Sequence, residues 1–66
     1  MTGQLTPRQQ EVVLLMAGGK TYQEIGIILG ISWSTVKTIA ARAKENLDVY
    51  KDTALVAAAF RQGIIT

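Results

Sequence analysis

The stretch Thr21-Tyr22-Gln23-Glu24-Ile25-Gly26-Ile27-Ile28-Leu29-Gly30-Ile31-Ser32-Trp33-Ser34-Thr35-Val36-Lys37-Thr38-Ile39 decides the fold. It contains two helix starts separated by one tight turn. Thr21, followed three residues later by Glu24, is a capping box in which each side chain satisfies the other residue's backbone N–H. Gly30 closes that helix at a position where a Cβ would resist positive φ, and Ser32 caps the next one. With Tyr22 as the first motif position, apolar residues fall at the fourth (Ile25), eighth (Leu29), tenth (Ile31), fifteenth (Val36) and eighteenth (Ile39). These side chains can glue two steeply crossed helices together, and Gly26 lets the second helix approach closely. The pattern predicts a helix-turn-helix. The plainer alternative is a compact helical hairpin with no further role.

Outward from this stretch the punctuation is equally clear. Thr6-Pro7-Arg8-Gln9 combines a capping box with proline at the first helical position. Val12, Val13 and Met16 recur on one face of that first helix, and Gly18-Gly19 ends it. The third helix runs from about Trp33 to Leu47. A fourth starts near Lys51 to Thr53 and stops at Gly63. No segment alternates with the period of a strand, so the expected fold is all-α with four helices and no sheet. Residues 1–4 read as a flexible N-terminus or linker remnant and residues 5–66 as the domain.

Composition limits what such a domain can do. Sixty-six residues make one small domain, and 48% hydrophobic content is too apolar for a disordered tail. The absence of Cys and His removes disulfides, thiolate or imidazole metal sites and Ser-His or Cys-His catalytic pairs. Glu11, Glu24, Glu45, Asp48 and Asp52 are dispersed; Glu11 and Glu24 suit ion pairs within or between helices, and none suggests acid–base catalysis. Gly19-Lys20-Thr21 looks like the end of a phosphate-binding loop, but Leu14 stands where that loop needs its first glycine, and a helix precedes it rather than a strand. The expectation is therefore no enzyme and no cofactor or metal. So small a core also leaves no volume for a small-molecule ligand.

The longest apolar runs, Val12–Ala17 and Ala54–Phe60, are far shorter than the ~18 residues of a membrane span. Residues 1–4 lack the features of a secretory signal, which makes the cytoplasm the default location and predicts no membrane partner. The net charge of +2 is mild, so the placement of the charges matters more than their sum.

That placement favours the third helix. Val36, Ile39, Ala40, Ala43 and Leu47 form its apolar stripe. The opposite face carries Ser34, Thr38, Ala41 and Glu45, flanked by Lys37 and Arg42. Small, hydroxyl and cationic side chains near a helix N-terminus suit the major groove of double-stranded DNA. Lys37 and Arg42 can donate to guanine or to phosphate, while Thr38 and Ala41 can touch a thymine methyl or simply permit close approach. Ser34, Lys37, Thr38, Ala41 and Arg42 are thus the candidate base contacts. The helix starts at Thr21 and Ser32 offer free N–H groups to phosphates, and Lys20, Thr35 and Lys44 are further phosphate candidates. Lys20 and Lys44 can equally remain solvated. The indole N–H of Trp33 can reach a phosphate, or its ring can cover the core.

These residues resemble the C-terminal DNA-binding domain of the LuxR-type bacterial transcription regulators. The resemblance rests on Leu5-Thr6-Pro7-Arg8-x-x-Glu11-Val12, Gly19-Lys20-Thr21-x-x-Glu24-Ile25 and Ile31-Ser32-x-x-Thr35-Val36-Lys37. It continues through Leu47-x-Val49 to Ala57-x-Ala59-Phe60-Arg61-x-Gly63-Ile64-Ile65, without a gap from Leu5 to Ile65. Bacterial sigma-factor DNA-binding regions share the central stretch but do not carry the closing Arg-x-Gly-Ile-Ile. The resemblance implies a LuxR/GerE-like fold and base contacts from Lys37, Thr38 and Ala41. Ala41 departs from members that carry a basic or polar residue there, as Ile39 departs from His and Asp48 from Gly. The quorum-sensing branch, whose members also bind acyl-homoserine lactones, looks nearer on Gly19-Lys20-Thr21 and Leu47-Asp48-Val49.

In the fourth helix Leu55, Val56, Ala59 and Phe60 are expected to pack inward, leaving Ala54, Ala57, Ala58 and Arg61 outward. Three alanines make a flat surface for another helix, although alanine is also simply the best helix former. The resemblance implies a homodimer through this helix. Its two recognition helices would lie about 34–36 Å apart on an inverted repeat, with RNA polymerase as a further partner. Two other readings remain open: a module that silences a related regulator through the alanine-rich helix, and a sigma-like promoter-recognition module.

Overall fold

The computed structural model describes residues 4–66. Of the expected N-terminal segment, residues 1–3 lie outside the described part. Four helices follow in order: α1 (Pro7–Ala17), α2 (Tyr22–Leu29), α3 (Trp33–Asn46) and α4 (Asp52–Arg61), with no strand among the described residues.

The caps form where the local sequence places them. The Gln9 N–H donates to Thr6 Oγ1 at 3.2 Å, and the Thr6 N–H donates to Gln9 Oε1 at 3.0 Å. At α2 the Glu24 N–H donates to Thr21 Oγ1 at 3.1 Å, and the Thr21 N–H to Glu24 Oε1 at 2.8 Å. Glu24 thus serves as a cap rather than an ion-pair partner. Accepting from the Thr21 backbone and hydroxyl, with Lys20 nearby, holds its carboxyl below the usual value. Glu11 does pair as expected, with Arg8 at 3.3 Å.

Between α2 and α3 the chain bends by 107°. Gly30 makes this possible by adopting φ 72° and ψ 33°, the left-handed conformation that side chains disfavour. Gly26 faces the turn so closely that a Cβ there would stand 2.6 Å from the Ile31 carbonyl oxygen.

The core is divided in two. Val12, Ile25, Val36 and Ala40 are fully buried together under the helix-turn-helix. Leu5, Val13, Ala43, Leu47, Leu55, Ala58, Ala59 and Ile65 form the second cluster, beneath α4. Adjacent residues Val12 and Val13 serve different clusters, and Met16 packs against both. The expected α3 stripe is buried throughout except for the half-buried Ile39.

On α4 the expected faces require correction. Ala58 is buried, at 2% exposure, whereas Phe60 is 47% exposed. Helix geometry explains the exchange: Ala58 and Ala59 lie within about 60° of Leu55, but Phe60 lies about 140° away. Size and apolarity do not bring a side chain inward when its angle points elsewhere. Ala57 and Arg61 are exposed and Ala54 is half-buried, so the outward surface keeps these three and gains Phe60.

Candidate nucleic-acid interface

The face of α3 turned away from both cores carries Ser34, Lys37, Thr38, Ala41 and Arg42, all exposed. Their spacing of three and four residues places them on one continuous side of the helix. Lys37, Thr38, Ala41, Arg42 and Glu45 line a shallow depression of about 410 Å³, with the small Thr38 and Ala41 between the two cations.

Hydroxyl groups at the start of α3 are largely engaged with one another. Ser32 Oγ accepts from the Thr35 N–H at 3.2 Å and lies 3.0 Å from Ser34 Oγ and 2.8 Å from Thr35 Oγ1. Thr38 donates its hydroxyl hydrogen to the Ser34 carbonyl at 3.1 Å. What Thr38 presents outward is therefore a methyl group and oxygen lone pairs. Among the exposed side chains of this face, Lys37 and Arg42 are the strong donors, and neither joins the two ion pairs found among the described residues.

Trp33 occupies the first position of α3 and is 52% exposed. It belongs to neither core cluster. Its ring instead lies under Lys37, with Nζ 5.9 Å from the ring centroid.

Lys20, Thr21, Ser32 and Thr35 are exposed at the helix starts, but Lys44 is committed elsewhere. Lys44 Nζ lies 3.0 Å from Asp52 Oδ1, and the Tyr22 hydroxyl donates to Asp52 Oδ2 at 2.7 Å. This group ties the first residue of α2 and the last turn of α3 to the first residue of α4. Burial and the adjoining Asp52 carboxylate push the Tyr22 hydroxyl up to about 12. Partial burial works against the Asp52 charge, yet the Tyr22 hydroxyl and Lys44 ammonium outweigh it and hold the carboxyl below its usual value. A second tie, Asn46 Nδ2 to Gln9 Oε1 at 3.0 Å, joins the end of α3 to the start of α1. Partners 30 and 37 residues apart leave no local signal, so neither tie is legible in the sequence.

Residues 1–47, reaching through α3, match the family model described as sigma-70, region 4. The chain belongs to the sigma-70 region 4 family. This match ends before α4, so the closing segment stands outside the family model.

Sequence similarity also connects this region 4 domain to three bacterial proteins, over 63, 61 and 45 residues. It is 40% identical over 63 residues to an uncharacterized response regulatory protein, YgeK, of Escherichia coli, covering 96% of the chain and 43% of that protein. It is 44% identical over 61 residues to the HTH-type quorum sensing-dependent transcriptional regulator RpaR of Rhodopseudomonas palustris, covering 92% of the chain and 25% of RpaR. It is 47% identical over 45 residues to the transcriptional activator protein CarR of Pectobacterium carotovorum, covering 68% of the chain and 18% of CarR. The chain therefore spans less than half the length of each of these relatives. Two of the three bear the names of transcriptional regulators. Among the described residues no single helix is long and apolar enough to cross a membrane.

Proposed function

We propose that this domain binds double-stranded DNA as the LuxR-type output module of a bacterial transcription regulator, with the first half of α3 in the major groove. The observation that carries the reading is the division of α3. One side is buried in two cores, while the other presents Ser34, Lys37, Thr38, Ala41 and Arg42 together. Lys37 and Arg42 serve as base-edge donors, and the Thr38 and Ala41 methyl groups admit close approach to a thymine. Lys20, Thr21, Ser32 and Thr35 hold the phosphate backbone through side chains and the exposed N-termini of α2 and α3. Lys44 is left out of that set because Asp52 already engages it.

The LuxR-type assignment draws on the relatives of 63 and 61 aligned residues, whose alignments are long enough to enter α4. In this reading two copies meet through Ala54, Ala57, Phe60 and Arg61, and the dimer reads an inverted repeat in the bacterial cytoplasm. RNA polymerase is a further partner.

Selection of bound duplexes from a random pool at ~100 mM salt tests the reading, because charge alone binds weakly there. Enrichment of an inverted repeat with half-sites about one helical turn apart is expected. Lys37→Ala should then weaken binding to the selected site. No enrichment by the folded chain, together with salt-insensitive capture of a regulator protein, would favour the silencing module instead.

A further inference from the structure

We infer that Trp33 is a positioning residue for Lys37: the indole face holds the ammonium group over the surface that meets the bases, and so sharpens sequence discrimination. This rests on the DNA-binding reading above but makes a separate claim about how the reading head is built. Trp33 and Lys37 are four residues apart on α3, the spacing at which helical side chains meet. Nζ lies 5.9 Å from the ring centroid, within the range at which a cation is attracted to an aromatic face. Two further observations assign the ring to this task. It is half-exposed and belongs to neither core cluster, so its outer half is free to meet a side chain on the same face. Lys37 also takes no part in either ion pair among the described residues, so no carboxylate competes for the ammonium.

A free lysine samples many rotamers, and fixing them on binding lowers affinity. An ammonium already held by the ring loses less freedom at that moment. The ring cannot distinguish bases by itself, so its effect passes through Lys37 and appears as specificity.

The geometry is checked first without DNA. In the free protein the Lys37 Cε protons should resonate upfield through the ring current of Trp33, and Trp33→Leu should abolish that shift. Duplex binding is then measured for Trp33→Leu, Trp33→Phe, Lys37→Ala and the Trp33→Leu/Lys37→Ala pair, on the selected site and on a scrambled duplex. Trp33→Leu should lower the ratio of selected to scrambled affinity about threefold, in keeping with a surface cation–π contact. Trp33→Phe should restore most of it. In the Lys37→Ala background Trp33→Leu should have no further effect.

Additive losses, or failure of Phe to rescue, would overturn the inference and make the indole N–H a phosphate contact of its own. An absent upfield shift would overturn it independently of DNA. A shift present in a chain that binds no duplex would instead refute the DNA-binding reading while leaving the geometry standing.

Discussion

Replacing Gly26 by alanine probes how α2 meets the start of α3. The added Cβ would lie 2.6 Å from the Ile31 carbonyl oxygen, and 3.4 Å from the Ser32 carbonyl carbon and the Trp33 nitrogen. All three atoms belong to the backbone, so no rotamer change can relieve the clash. The turn itself must retreat by several tenths of an ångström, although Gly30 and Ile31 are both bonded to the Gly26 carbonyl. Overpacking of this kind costs about 1–3 kcal/mol, and a rigid backbone neighbour places it at the upper end. Alanine's better helix propensity returns ~1 kcal/mol.

The net loss is about 2 kcal/mol against a total stability of roughly 3–10 kcal/mol for a chain of this size. Thermal unfolding followed by circular dichroism at 222 nm should therefore show Tm lower by roughly 8–16 °C. Ile27→Ala, at an adjacent position that is 83% exposed, should change stability by less than ~0.5 kcal/mol. A Gly26→Ala protein that melts with or above the parent would refute the close-approach argument.

Three further outcomes follow from α4 and from the Tyr22–Asp52–Lys44 group. Ala58→Arg should unfold the domain, because it forces a charge into a site with 2% exposure, whereas Ala57→Arg should leave the melting curve nearly unchanged; equal melting of the two variants would refute the corrected α4 face. Tyr22 has its pKa raised from 10.0 to about 12, so its contribution to stability is complete below pH 10 and disappears as pH rises from 10 towards 12. Urea melts should show that alkaline loss reduced in Tyr22→Phe. Asp52 is shifted the other way, so its contribution is present above its unfolded value of ~3.9 and disappears as the pH falls through its lower folded value. Asp52→Asn should flatten that acid limb, and an unchanged limb would show that the carboxylate is not held as described.

What could be read from the sequence depended on range. Thr6 with Gln9 and Thr21 with Glu24 are three residues apart, close enough for residue type and spacing to determine the contact. The α3 face was legible for a similar reason, since its apolar stripe dictates which residues remain outside. Ala58 and Phe60 exchange faces because the buried arc of α4 centres on Leu55, an angle that side-chain volume and apolarity do not encode. Lys44 looked like a surface cation until folding brought Asp52 to it. The donor of Thr38 turned inward to the Ser34 carbonyl, a choice that hydroxyl residues make only once the helix exists.

The division of the core carries a consequence for how the domain can change. Leu55, Ala58 and Ala59 of α4 press on Val13, Ala43 and Leu47, and the Val12, Ile25, Val36 and Ala40 cluster lies beyond them, under the 107° turn. Substitutions on the outer side of α4 can therefore accumulate without strain reaching that turn, and the α3 surface can be rewritten without loosening α4. Two surfaces on a chain of only 66 residues thus rest on different apolar clusters, joined at Met16 and through the Tyr22–Asp52–Lys44 group. A change at Met16, Tyr22, Lys44 or Asp52, by contrast, would be felt on both sides.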